Sequence, residues 1–357
     1  MGMTAGVHQV LAGAAPRDAI TTHALFARDA IRSMGLRSEI FCDAPHLAGE
    51  LTQRVRPHTA WERFAREGDH AILHYSIDSA AFEYVYERAA RSAIHYHNVT
   101  PPDLLWRDAP ALALQCARGR DRLASFTGRV SAAAADSVFN ADELAQVGMP
   151  DATVIGVMRD IPSRFGEPER TTEPGRDLHL LFVGRGVPNK CQHDLILTTA
   201  ALVQGGDDAV LTLVGSWGGN RAYLERCQHL VRVLGLENRV RFLGSVDDST
   251  LDQTYRDADV FVCLSEHEGY CVPLLEAMDR QLPIVAFSAG AVPETLGQAG
   301  LLLLDKTPSL IAEAILSAAH NNELRREMAE MRAQQLAQHS PGAVSGRLSA
   351  FVREFAI

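Results

Sequence analysis

Residues Ser265–Met278 read SEHEGYCVPLLEAM, and the fold turns on how this stretch is parsed. Two glutamates, Glu268 and Glu276, stand eight positions apart on either side of a Gly-Tyr-Cys-Val-Pro turn. On one continuous helix they would share a solvated face. Gly269 and Pro273 argue against such a helix, because glycine is a poor interior residue and proline suits only the first turn. The preceding ADVFVCLS is an apolar run of strand length. Strand, loop and helix are therefore predicted, with the helix from Val272 to Arg280, Glu268 in the loop and Glu276 early in the helix. Two carboxylates at the carboxyl end of a buried strand can accept hydrogen bonds from vicinal hydroxyls, which sugars and riboses present. The competing reading has Glu276 stabilising the helix dipole and Glu268 solvated. Spacing alone leaves both open.

The same alternation of apolar run and amphipathic helix extends along the whole chain. In the second half DLHLLFVG, DAVLTLVG, NRVRFLG, ADVFVCLS, LPIVAFS and GLLLL read as strands. In the first half VHQVLAG, RSEIFCD, HAILHYS, SAIHYHN and AADSVFN read likewise, with TTHALFARDAIRSMG a helix opened by a threonine cap. This is an α/β pattern: two doubly wound, Rossmann-like domains with parallel sheets, facing a cleft at the carboxyl ends of their strands. RDIPSRFGEPERTTEPGRD is rich in Pro, Gly and charge and has no apolar period. The predicted division is a first domain over 1–160, a linker over 161–177, a second domain over 178–340, and a terminal helix over 341–357 that returns to the first domain.

Composition narrows the class. The 357 residues are 46% hydrophobic and 22% charged, which is ordinary globular composition. A formal net charge of −10 argues against nucleic acid as a partner and weakens stable docking on an anionic membrane. No run of about twenty apolar residues is present, and the N-terminal stretch lacks the pattern of a signal peptide. Cys42, Cys116, Cys191, Cys227, Cys263 and Cys271 form no C-x-x-C pair, so reduced, buried thiols are expected. A cytoplasmic protein acting on a small-molecule or neutral substrate fits; peripheral membrane contact stays open, and the oligomeric state is not encoded legibly.

A second candidate loop is LLFVGRGVPNKCQHDLI, where a strand ends at Val183 and Gly184, Arg185, Gly186 and Lys190 lead into a helix. Glycines permit close backbone approach, and two cations at a helix start make an anion site. Neither a Walker A loop nor G-x-G-x-x-G is present. The competing reading is two exposed cations. SAGAVPETL offers Gly290 and a helix start to a phosphate, weakly on its own. Asp257 and Asp259 form a D-x-D that reads as capping. His95 and His97 share a strand side but lack further ligands at sensible spacing, so no metal site is assigned. His70 and His74 lie on a strand-like run, and Trp217 sits near a bound ligand or covers the core.

Taken together, these segments resemble retaining glycosyltransferases of the GT-B fold, family 4 (group 1). EGYCVPLLEAM is similar to that family's E-x7-E motif, FVGR…K…LI to its Arg/Lys diphosphate site, and VRFLGSV…L…Y…ADVFV to the segment leading to the motif. The resemblance runs from about Leu178 to Leu304 and is looser before it, although YHNVTPP resembles a family segment whose histidine, here His97, approaches the donor sugar.

The resemblance implies roles, with the domain over 1–160 binding the acceptor and the domain over 178–340 the nucleotide sugar. Glu276 would hold the ribose and Glu268 the donor sugar, while Arg185 and Lys190 would neutralise the departing diphosphate. Gly244, Ser245 and Val246 would lie near the base. Gly269, Tyr270, Cys271 and Val272 would line the donor with backbone N–H groups, and Gly184 and Gly13 would allow its close approach. The family's first βα loop often carries paired glycines; LAGAAPRDAI has only Gly13 beside Asp18.

The expected function is retaining, metal-independent transfer of a hexose from GDP-mannose or a UDP-hexose to a hydroxyl of a glycan, lipid-linked glycan or natural product, with no cofactor. A sugar-nucleotide epimerase or hydrolase and a non-catalytic binding module are the alternatives.

Overall fold

The computed structural model describes residues 5–149, 151–158 and 176–356. The expected linker over 161–177 therefore lies, up to residue 175, outside the described residues. The chain packs as two units: Met1–Val99 with Leu114–Asp160 and Gln338–Ile357, and Thr100–Ala113 with Ile161–Ala337. Thr100–Ala113 belongs to the second unit, where Arg226 pairs with Asp108 at 2.5 Å.

Among the described residues the first unit holds seven parallel strands: β1 (Val7–Leu11), β2 (Ile40–Cys42), β3 (Arg56–Pro57), β4 (His70–Tyr75), β5 (Ser92–Tyr96), β6 (Ala132–Ala135) and β7 (Ala152–Val154). Their order is β3-β2-β1-β4-β5-β6-β7. The chain thus winds outward from β1 in both directions, and its switch point lies between β1 and β4. Leu11 is in register with His74, and His74 with His95, which sets two histidines side by side on neighbouring strands.

Two local expectations are corrected. The helix Ala19–Ser33 is capped by Asp18, whose carboxylate accepts the Thr21 N–H, and not by a threonine. AADSVFN is not a strand. β6 ends at Ala135, and the Ser137 hydroxyl accepts the Asn140 N–H to start a helix over Val138–Gln146. A serine that can satisfy an orphan helix N–H favours helix initiation over continued pairing.

The terminal helix, Pro341–Ala356, opens on its proline. It buries Val344, Leu348, Phe351, Val352 and Phe355 in a core shared with Val7, Ile31, Ile72 and Ala134. Each such side chain contributes about 1.5–3 kcal/mol when fully buried, so this helix is part of the first unit's core.

The second unit holds six parallel strands among the described residues: β8 (Leu178–Val183), β9 (Ala209–Val214), β10 (Val240–Gly244), β11 (Val260–Cys263), β12 (Ile284–Phe287) and β13 (Leu301–Leu303). Their order, β10-β9-β8-β11-β12-β13, puts the switch point between β8 and β11. Leu180, Phe182, Leu211, Leu213, Val260 and Val262 fill its core together with Ile196, Ile311 and Ile315 from the covering helices. No helix among the described residues is long and apolar enough to cross a membrane. All six cysteines are buried thiols outside any disulfide.

Candidate active site

The loops after β8 and β11 meet at the second unit's switch point. β8 gives way at Gly184 to a loop whose short 3-10 turn, Pro188–Lys190, ends on a left-handed Cys191. β11 gives way to the loop carrying Glu268. The Lys190 Nζ lies 2.6 Å from Glu268 Oε2, and the two side chains are only 20% and 9% exposed. Burial works against the lysine's charge, but the Glu268 carboxylate outweighs it and holds the ammonium above its ordinary pKa. Sequence reading assigned these two groups to different parts of a donor; the structure brings them into direct contact.

Asn189 ties the same loops together. Its carbonyl accepts the Glu266 N–H, and its side chain donates to the His267 carbonyl. Gly290 closes the loop from the other side. It has φ +56, and a Cβ there would stand 2.3 Å from the Glu268 carbonyl oxygen, so backbone approach this close excludes any side chain. Next to it the Ala291 N–H donates to that carbonyl. Tyr270 offers its own carbonyl to the Thr295 hydroxyl. Cys271 is left-handed, with φ 65, and caps the helix Val272–Asp279, which ends one residue before the expected Arg280. Its Sγ is 3.8 Å from that of Cys263. This shared hydrogen bond and then burial push the Cys271 thiol well above its ordinary value, so it is a neutral, weakly nucleophilic group.

Glu276 sits beyond the first turn of that helix and accepts a 2.6 Å hydrogen bond from the Tyr255 hydroxyl. Arg280 lies over the Tyr255 ring and pairs with Asp252, fixing the tyrosine from behind. The reading of Glu268 as solvated does not describe this arrangement, since its side chain is buried and paired with Lys190. Arg185 is exposed, its carbonyl held by Gln192 Nε2. Trp217 lies so close over Gly186 that a Cβ there would meet its ring at 2.1 Å, and it packs on Tyr223 and Phe242. Covering the core next to the Arg185 loop is thus its observed place. Gly244 has φ +66 and ends β10, with Ser245 exposed and Val246 half-buried after it. Asp259, the second aspartate of the D-x-D, caps β8 by accepting the His179 N–H and pairs with Arg176.

In the first unit, Gly13 lies at the switch point between β1 and β4, where a Cβ would stand 2.9 Å from that of His46. It lines a cavity of about 490 Å³ with Asp18, His46, Ser76, Asp78 and Arg118. His97 is placed differently from its expectation. Its side chain is 1% exposed, with Nδ1 2.8 Å from Asp136 Oδ2 and Nε2 2.8 Å from His74 Nδ1. Both ring nitrogens are committed inside the unit, so the ring as placed has no free atom for a donor sugar.

His23, His74, His95 and His97 each bring a ring nitrogen within 4.8 Å of the others. Spacing offers no ligands beside His95 and His97, because His23 comes from the first helix and His74 from β4. Burial pushes His23, His74 and His95 below the ordinary histidine value. Asp136 is held below the ordinary carboxylate range: burial opposes this, but His97 and His95 outweigh it.

Sequence reading missed Asn189, Tyr255, Thr295 and Asp136. Tyr255 was within the quoted approach to β11; the others carry no local pattern.

The family model "Glycosyl transferases group 1" matches residues 164–335. D-inositol 3-phosphate glycosyltransferase of Corynebacterium glutamicum is 30% identical over 189 residues, covering 51% of this chain and 45% of its own. The protein of that name from Actinosynnema mirum is 31% identical over 217 residues, covering 58% and 51%. The chain spans about half the length of the curated relatives it matches. Among solved structures, Anabaena HepE in complex with UDP-glucose superposes with a TM-score of 0.75 at 18% identity, covering 98% of this chain and 99% of that one. Sucrose-phosphate synthase of Thermosynechococcus elongatus does so with a TM-score of 0.74 at 16% identity, covering 98% of both chains. Residues 164–335 are thus similar to the group 1 glycosyl transferases, and the chain has the GT-B fold.

Proposed function

We propose that the protein transfers a hexosyl group from a nucleoside-diphosphate sugar to a hydroxyl acceptor, with retention at the anomeric carbon, as in family 4. The carrying observation is the buried Lys190–Glu268 pair at the switch point, eight residues before a Glu276 oriented by Tyr255. In this reading Lys190 and Arg185 neutralise the diphosphate, Glu268 accepts hydroxyls of the transferred sugar, and Glu276 accepts those of the ribose. Gly184 and the Gly269–Val272 backbone line the donor, and Gly244, Ser245 and Val246 border the base. The acceptor oxygen attacks C1 on the face from which the phosphate departs. The C1–O bond to phosphate breaks as the new C1–O bond forms, and the acceptor proton passes to the leaving diphosphate. Charge growing on the diphosphate meets preorganised cations, so stabilisation is largest in the transition state. No metal is needed at the diphosphate.

A UDP-hexose is the first donor to test, since Anabaena HepE was crystallised with UDP-glucose; GDP-mannose is the second. Inositol phosphates are the first acceptors to test, from the names of the sequence relatives. Reduced, buried thiols favour a cytoplasmic setting. A thermal-shift series with UDP, GDP and ADP and then their sugars identifies the donor, because only a ligand preferring the native state raises Tm. Product NMR then reads the anomeric configuration. Glu276→Ala and Lys190→Ala are expected to reduce transfer by orders of magnitude while the protein stays folded. Near-normal transfer in either variant overturns the reading, and complete donor conversion without acceptor replaces it with epimerisation or hydrolysis.

A further inference from the structure

We propose that His74, His95 and His97 of the first unit form a three-histidine site for a structural divalent ion of the zinc type, with His23 holding the ion's fourth ligand, a water. The inference is independent of sugar transfer.

It follows from counting hydrogens. The Gln9 amide is fixed because its Nε2 donates to the Ala24 carbonyl. Its oxygen, 2.9 Å from His74 Nε2, must then accept, so His74 carries its proton on Nε2 and turns the Nδ1 lone pair inward. His97 presents Nδ1 to Asp136 Oδ2 at 2.8 Å, which calls for a proton there and leaves Nε2 facing His74 Nδ1 at 2.8 Å. Two lone pairs thus meet, and one extra proton or one cation must lie between them.

His95 repeats the pattern. Its Nε2 is 2.9 Å from Asp136 Oδ1, although off the line of a good hydrogen bond, and its buried Nδ1 has no partner. A proton between His74 and His97 leaves that third nitrogen unmet, whereas one ion satisfies all three. Among the described residues no lysine or arginine pairs with the buried Asp136, so an ion would also supply its missing countercharge.

The arrangement has the form expected around metal-bound imidazoles. Each ligand's outer nitrogen faces an acceptor, Gln9 or one oxygen of Asp136. His23 differs: its Nδ1 accepts the Met158 N–H, so its unpartnered Nε2 carries the hydrogen. It cannot ligate while neutral, but it can donate to a water in the open fourth position. Neutral imidazole favours zinc and its neighbours among divalent ions. Zinc–nitrogen bonds of about 2.0–2.1 Å need only small ring rotations to widen the His74–His97 approach.

The test uses untagged full-length protein from zinc-supplemented cells. Elemental analysis should find one zinc per chain, retained through dialysis against EDTA because the site is buried. Unfolding with a chelator should release it, and refolding without metal should lower Tm, restored by adding zinc. The cobalt-substituted protein should show four-coordinate visible bands and no thiolate charge-transfer band. Asp136→Asn should weaken retention about 10- to 100-fold, and His95→Gln should abolish it; if His95→Gln does not fold, Asp136→Asn carries the test. Protein without bound metal whose Tm ignores zinc overturns the proposal. So does a thiolate band, which would move the ion to Cys263 and Cys271.

Discussion

Lys190→Met tests the centre of the candidate site. At 2.6 Å the pair's direct attraction is roughly 6 kcal/mol for an effective dielectric near 20. Desolvation of both ions offsets most of it, so the pair's net worth is small. Removing one partner is another matter, because Glu268 is left buried and uncompensated, which typically costs about 3–5 kcal/mol. Lys190 retains 20% exposure, so water can partly reach the carboxylate, and the lower end, about 3 kcal/mol, is expected. For a unit of this size that is a fall in Tm of roughly 6–12 °C. Lys190→Met combined with Glu268→Gln should recover most of the loss, since neither charge is then stranded. Scanning calorimetry of the four proteins of this cycle reads the coupling, and transfer assays should find both singles and the double inactive. If single and double variants melt together near wild type, the two groups are not energetically coupled and the site argument fails. The pH dependence has a definite sign. The folded lysine pKa is raised above 10.5, so its contribution is fully present below that value and is lost as pH rises through the higher folded pKa.

Three further outcomes are expected. Tyr255→Phe removes the hydrogen bond to Glu276 and should raise donor KM about 5-fold, near 1 kcal/mol, with little change in kcat; steady-state kinetics with saturating acceptor checks it. Gly290→Ala forces a Cβ to within 2.3 Å of the Glu268 carbonyl oxygen and should abolish donor binding in calorimetry, whereas Gly206→Ala, also at positive φ but with nothing within 4 Å, should cost only about 1 kcal/mol and keep binding. His339 is pushed down to about 4 by burial and then by Arg347. Below the ordinary value of 6.5 the unfolded chain takes up this proton first, so stability should fall as pH drops from 6.5 toward 4. Urea midpoints across that range should fall less steeply in His339→Gln.

What could be read in advance depended on how locally each feature is written. The six strands of the second unit are each a short apolar run ending at a loop, and their covering helices follow directly, so period and punctuation suffice. Glu268 and Glu276 are legible for the same reason: one strand, one turn and one helix carry both. What completes them is not local. Tyr255 reaches Glu276 from another helix, and Asn189 bridges to the β11 loop from the β8 loop. AADSVFN failed because its apolar content is the same in strand and helix, and a single serine cap decides between them. The histidine cluster is the extreme case. Its members come from a helix, two strands and the segment after β5, and Asp136 follows β6. No spacing links His23 to Asp136. Only the register of Leu11 on His74 and His74 on His95 creates the neighbourhood, and such a register is a property of the closed sheet. Ligand-like residues scattered over parallel strands are therefore poor subjects for spacing rules built on helices and loops, and a histidine on such a strand has to be judged against its cross-strand partners.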